Sequence, residues 1–381
     1  MIIVSKCILI ISKHLNIGGT EKMLLRFLPF FFSLGYKVDI YLLYNSGFLL
    51  ESKIDWLLNS DQCTISSFFS EKTDAYKKIM KEDPISVYKK NIRKEYDVEI
   101  AFQESYATKI VSNSPNEKST KIAWIHSNFE EYHFSAHAYN GNFEEFQTYQ
   151  NFDKIVFCSH SAKQAFDHVL VNNFQNKYVI YSPINNEICK KYATQYTPFI
   201  TGTYFLVLSR LSPQKGLDRL IEASRILKGR GISFKIVIVG SGELESKLRA
   251  MILDYGLLSQ VQLYPSTVNP FPYFKNCQAY ISPSYTESFG IAIQEALCMS
   301  VPVIACDTPG TREVLMEGKF GEIIPPSKYA LANAIEKYIC DTFFANILCD
   351  KAKKGSIYWN NLNKATQKQL EYLLLPDTGI N

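Results

Sequence analysis

Short apolar runs of four to six residues recur along the chain, each followed by a polar or glycine-rich turn and then a longer amphipathic stretch. Cys7–Ser12 (CILIIS) is the first run, Asn16–Glu21 (NIGGTE) the first turn, and a helical pattern follows from about 21 to 34. Strands are predicted again at 37–43, 97–102 (DVEIAF), 121–125 (KIAWI), 154–158 (KIVFC) and 178–181 (YVIY), with Ser159-His160-Ser161 capping a helix through about 170. The pattern restarts at 204–209 (YFLVLS), continues through strands at 234–239, 261–264, 279–282, 302–305 and 322–324, and places helices from 216, 290–298, 311–316 and 328–340. Most of these runs are continuously apolar, which marks strands buried on both faces in a parallel sheet. Strands alternating with helices give an α/β doubly wound architecture, and two successive series give two Rossmann-like domains.

The stretch LLRFLPFFFSLGYKV is interrupted by Arg26, Pro29 and Lys37, so it reads as a buried helix leading into a strand rather than a membrane span. The apolar N-terminus has no preceding basic region and no small-residue cleavage site, and reads as a strand rather than a secretory leader. Residues 186–203 are polar and place a linker near 194–203. The expected layout is an N-terminal domain over 1–196 and a C-terminal domain over 203–356. A tail over 357–381 has a helical pattern through 375 and would pack back on the first domain.

Composition narrows the function classes. The 381 residues, 46% of them hydrophobic, suffice for two or three cores, and a net charge of +4 without a basic stripe argues against nucleic-acid binding. Nine cysteines include no C-x-x-C pair and six histidines show no ligand spacing, so reduced thiols, a cytoplasmic protein and no metal site are expected.

Five constellations carry candidate chemistry. Ser209–Gly216 (SRLSPQKG) follows a buried strand and offers Arg210 and Lys215 where a diphosphate needs cations; spacing alone leaves an ordinary surface loop equally open. Gly240 and Gly242 follow the next strand and allow close backbone approach, or merely a tight turn. Ser282–Ala296 (SPSYTESFGIAIQEA) holds Glu287 in a loop and Glu295 on a helix beginning near Gly290. A carboxylate there suits ribose hydroxyls and helix-start amides suit phosphate, against the plain alternative of a helix with two acidic residues. Gly18-Gly19 after the first strand is a ligand approach or a simple turn. His126, just past a predicted strand, is a cleft residue or a structural histidine.

Together these residues resemble the retaining glycosyltransferases of two-domain GT-B architecture, the family usually numbered four. The likeness rests on the E-x7-E motif Glu287–Glu295, the S-R-L-x-x-x-K-G segment, the N-I-G-G-T-E opening and the strand ending in His126, and is strongest from Tyr204 to Pro325. It implies two domains facing a cleft. Arg210 and Lys215 would neutralise the donor diphosphate, and Ser288, Phe289, Gly290 and Ile291 would bind phosphate and orient the sugar. Glu287 would bond sugar hydroxyls and Glu295 the nucleotide ribose. Gly18, Gly19 and Gly240 would lie near the donor, and His126 would contact its sugar. No metal or separate cofactor is implied. Asn269-Pro270-Phe271-Pro272-Tyr273 resembles a variant found with UDP-hexoses or UDP-N-acetylhexosamines. Tyr264-Pro265 and Tyr181–Asn185 depart from the family pattern. The acceptor would be a saccharide or lipid-linked saccharide, at the cytoplasmic face of a bacterial inner membrane. The basic segment 77–94 is either a peripheral contact with anionic lipid or a solvated helix face. A sugar-nucleotide epimerase of the same architecture and a noncatalytic sugar-nucleotide-binding subunit are the alternatives.

Overall fold

The computed structural model describes residues 6–16, 18–45, 60–70, 82–171 and 174–375; residues 77–81 of the basic segment lie outside them. The chain divides into two compact units, Met1–Ser182 with Lys364–Asn381, and Pro183–Asn363.

The first unit holds a seven-stranded parallel sheet. Its strands are β1 (Cys7–Ser12), β2 (Lys37–Tyr44), β3 (Cys63–Phe69), β4 (Val98–Ala101), β5 (Thr120–Ile125), β6 (Lys154–Phe157) and β7 (Lys177–Val179), in the order β3-β2-β1-β4-β5-β6-β7. Strand β1 lies inside, and Ile8, Leu9, Ile10 and Ile11 are all fully buried. The helix Gly19–Ser33 turns Met23, Leu24, Phe27, Leu28 and Phe31 inward at helical spacing. Phe27 sits 4.7 Å from the Trp124 ring and 6.2 Å from Phe102.

The second unit holds a six-stranded parallel sheet of β8 (Tyr204–Leu208), β9 (Ile236–Val239), β10 (Val261–Tyr264), β11 (Cys277–Ser282), β12 (Val303–Cys306) and β13 (Glu322–Ile324). The order is β10-β9-β8-β11-β12-β13. One side is covered by the helices Leu217–Gly229 and Lys328–Cys340, whose Leu220, Ile221, Leu331 and Ile335 are fully buried in one apolar cluster. Both sheets thus have the doubly wound order expected from the sequence.

Several elements differ from the sequence reading, the helices Tyr106–Ser112 and Asn142–Tyr149 among them, and three show why. Cys63–Phe69 forms β3, a strand hidden by its polar content (CTISSFF), which it tolerates because it pairs only with β2 at an edge. The polar stretch after Ser182 contains the helix Asn186–Ala193, capped by the Asn185 side chain accepting from Ile188 N at 3.0 Å. The expected tail helix is the end of one 32-residue helix, Thr342–Leu373. Among the described residues no helix is long and apolar enough to cross a membrane.

The end of that long helix is tied into the first unit by a lysine. Lys154 is almost fully buried in β6, and its ammonium donates to Leu373 O at 3.0 Å and Leu375 O at 2.6 Å. Terminal helix carbonyls lack partners within the helix, and a cation there also meets the negative end of its dipole. Lys154→Ala removes the donor and leaves these carbonyls without it. The expected loss is about 1–3 kcal/mol in urea unfolding of the first unit, accompanied by faster amide exchange over 366–375.

Candidate functional site

In the second unit the chain runs β8, β9, β10 to one side and then returns to lay β11 on the opposite side of β8. Loops leaving two such strands diverge at their carboxyl ends and open a crevice, the usual ligand position in this architecture. The two loops here are 209–216, after β8, and 283–290, after β11. They carry Lys215 and Glu287.

These two side chains meet. Lys215 Nζ lies 2.7 Å from Glu287 Oε1, and Ser284 Oγ donates to the same oxygen at 2.8 Å. Both side chains are partly exposed, at 26% and 16%, so the pair stays open to solvent and to a competing anion. Arg210 lies exposed on the same loop as Lys215, next to the end of β8.

The backbone around the pair is tightly specified. Gly216 adopts φ +59°, and a Cβ there would strike the carbonyl of Pro283. Tyr285 N donates to Gln214 O at 2.8 Å, joining the two loops. Gly310 N donates to Glu287 O at 3.0 Å, and a Cβ on Gly310 would collide with the backbone of residues 287–289. Gly290 has φ +92° and opens the helix Ile291–Cys298, after Ser288 and the buried Phe289. Glu295 is fully buried on that helix. Burial, helped by the charges of Glu287 and Glu295, raises the Tyr280 hydroxyl well above its ordinary pKa, and it donates to Leu208 O at 3.2 Å. The loops therefore bring Lys215 and Glu287 into contact and set Glu295 close enough to the same tyrosine for its charge to be felt.

Gly240 and Gly242 are required by the packing of the chain's own backbone. A Cβ on Gly240 would strike Ser209 O, and one on Gly242 would strike Leu211 O. The close approach at these glycines is by the chain's own backbone, and Leu211 N donates to Ser241 O at 3.0 Å.

The first unit has its own reversal of strand order, between β1 and β4. Gly18 and Gly19 lie at the start of the helix after β1. A Cβ on Gly18 would collide with the carboxylate of Glu21, which pairs with His14 Nδ1 at 3.0 Å. His126 follows β5, with Nε2 3.1 Å from Phe102 O. A carbonyl only accepts, so this nitrogen carries the proton and the buried Nδ1 is an acceptor without a hydrogen-bond partner among the described residues. Burial holds the imidazole neutral, with its pKa pushed down to about 3 against the pull of the Phe102 bond.

Sequence reasoning missed Glu104. This buried carboxylate accepts from His126 N at 3.2 Å, from Ser127 N at 2.8 Å and from the Ser127 hydroxyl, so it fixes the backbone of the histidine loop. Burial raises its pKa, opposed by these donors. Its signal was an acid just past a predicted strand. The second unit's Arg219 and Ser284 were also missed.

The two doubly wound units define the GT-B class of fold. Residues 193–355 match the family model described as glycosyl transferases group 1. Among curated relatives, the capsular polysaccharide biosynthesis glycosyltransferase CapM of Staphylococcus aureus is 29% identical over 190 residues, 47% of this chain and 48% of CapM. The amylovoran biosynthesis glycosyltransferase AmsK of Erwinia amylovora is 31% identical over 128 residues, 32% of this chain and 31% of AmsK. The chain spans about half or less of the length of these relatives. Among solved structures, Anabaena HepE in complex with UDP and glucose has a TM-score of 0.75 at 18% identity, covering 96% of this chain and 98% of HepE. TarM has a TM-score of 0.76 at 14% identity, covering 98% and 99%.

The neutral His126 has a measurable consequence. Its folded pKa of about 3 lies below the ordinary 6.5, so the unfolded chain binds a proton that the folded chain refuses in this window. Its contribution to stability is complete above about pH 6.5 and is lost as pH falls toward 3. His126→Gln is expected to flatten the fall of Tm between those limits, measured by calorimetry alongside the parent.

Proposed function

We propose that this chain is a retaining glycosyltransferase. It moves a hexose or N-acetylhexosamine from a UDP-sugar to a saccharide or lipid-linked saccharide acceptor, in bacterial cell-surface glycan synthesis at the cytoplasmic face of the membrane. The observation that carries this reading is the Lys215–Glu287 contact at the reversal between β8 and β11, with Glu295 eight residues on. The family match and the polysaccharide-related names of CapM and AmsK support it, as does the UDP in the HepE complex.

In this reading the donor's diphosphate takes Lys215 from Glu287, aided by Arg210 and by the amides from Ser288 to Ile291. Glu287 then turns to sugar hydroxyls, and Glu295 holds the ribose. The resemblance would add Gly18, Gly19 and the neutral His126 of the first unit to the donor's binding residues. As the anomeric C–O bond to phosphate breaks, negative charge grows on the diphosphate. Fixed cations and amides stabilise that charge more in the transition state than in the ground state. The acceptor oxygen bonds to the anomeric carbon on the face the phosphate leaves, and its proton passes to the departing phosphate oxygen. Configuration is retained without a protein nucleophile.

Incubation with a panel of UDP-sugars and GDP-mannose, followed by NMR, is expected to show UDP release from one donor with the α-configured sugar appearing first. A β-configured first product overturns the retaining mechanism, and neither turnover nor donor binding overturns the transferase reading. Glu287→Gln removes the resting competitor for Lys215 while leaving the cation. It is expected to bind UDP several-fold more tightly by calorimetry while transfer falls about 100-fold. Unchanged UDP affinity would show that the resting pair does not compete with the diphosphate. Lys215→Ala is expected to reduce donor kcat/KM by about 100-fold.

A further inference from the structure

The loop bearing Glu287 is held in place by a buried arginine. Arg219 stands on the first turn of the helix Leu217–Gly229, where it is only 6% exposed. Its Nη2 donates to Pro283 O at 2.5 Å and to Ser284 O at 3.0 Å. Its guanidinium carbon lies 4.1 Å from the centroid of the Tyr285 ring. The same tyrosine donates its amide to Gln214 O at 2.8 Å, and its hydroxyl lies 3.4 Å from Asp218 Oδ2. Three consecutive residues of the loop, Pro283, Ser284 and Tyr285, are therefore fastened to the segment that carries Lys215. Ser284 in turn contacts Glu287 through its hydroxyl.

We infer that Arg219 is a positioning residue that sets Glu287 against Lys215, and this rests on the transferase reading above. Its Nη2 donates to backbone carbonyls rather than to an open site. One nitrogen bonds both carbonyls while the planar guanidinium lies over the aromatic face, an arrangement that suits arginine. Lysine supplies a point charge on a flexible stem and cannot bond the carbonyls and stack on the ring in the same way. An apolar residue would leave two loop carbonyls without their donor. Released, the loop would still hold its glutamate, but not at a fixed distance from the ammonium. A displacement of about 1 Å in a catalytic group can cost about 100-fold in rate.

The test compares the full-length parent with Arg219→Met and Arg219→Lys, each checked for folding by circular dichroism. In Arg219→Met, amide exchange over 283–288 should quicken while the core of the helix 217–229 stays protected. UDP affinity should remain within about threefold, because Lys215 and Arg210 are intact. Donor turnover should fall in kcat by about 10- to 100-fold, with KM changed much less. Arg219→Lys should recover only a minor part of kcat. A variant of lower Tm but parental kcat and parental exchange at 283–288 would overturn the proposal and leave Arg219 a stabilising residue only. If the parent turns over no UDP-sugar, the transferase reading fails separately. The exchange comparison still decides whether Arg219 fixes this loop.

Discussion

An ammonium and a carboxylate 2.7 Å apart, on loops that are distant in sequence, are the constraint around which the second unit's site is arranged. Neither group is deeply buried, so water screens their attraction and the pair is worth little as a stabiliser. Its importance lies in geometry. Lys215 and Glu287 meet because β8 and β11 are adjacent across the reversal in strand order. Gly216 lets one loop pass under the other, and backbone bonds from Tyr285 and Gly310 fix the carboxylate's end. The modest strength of the contact suits a site whose resting partner must give way to a more highly charged one.

Much of the fold was legible because parallel strands buried on both faces read as unbroken apolar runs. The runs CILIIS, KIVFC and YFLVLS correspond to β1, β6 and β8. The failures have physical causes. Strand β3 sits at an edge and carries serines and a threonine, so its pattern is too weak to separate from a loop. The helix Asn186–Ala193 buries little more than Cys189 and Ala193, and its polar surface concealed it. The long tail helix has exposed positions such as Phe343 and Ile357, which blur its apolar stripe.

The site was legible to a different depth. Lys215, Glu287 and Glu295 are charged residues at distinctive spacing around strand ends, and that spacing survives in the one-dimensional string. Arg219 and Glu104 act on backbone amides and carbonyls, whose positions depend on loop conformation, so the place of Glu104 just past a strand was too weak a signal to reveal its partners. Gly240 was noticed for its type, while its neighbour, Ser209 O, appears only in three dimensions. The two reversals also differ in character. That of the first unit contains carboxylates and a histidine kept neutral by burial, whereas that of the second sets a carboxylate against an ammonium.

Gly310 has a consequence of its own. It belongs to the helix Pro309–Val314, not to either loop that carries a charged group, yet its missing side chain is what lets the backbone of residues 287–289 lie where it does. Enlarging it even to alanine would push on the carboxylate's loop from behind while leaving every charged side chain in place. In a genetic screen such an allele would be grouped with lesions of Glu287. A map of loss-of-function alleles on this chain would therefore outline the mould of the site as well as its chemistry.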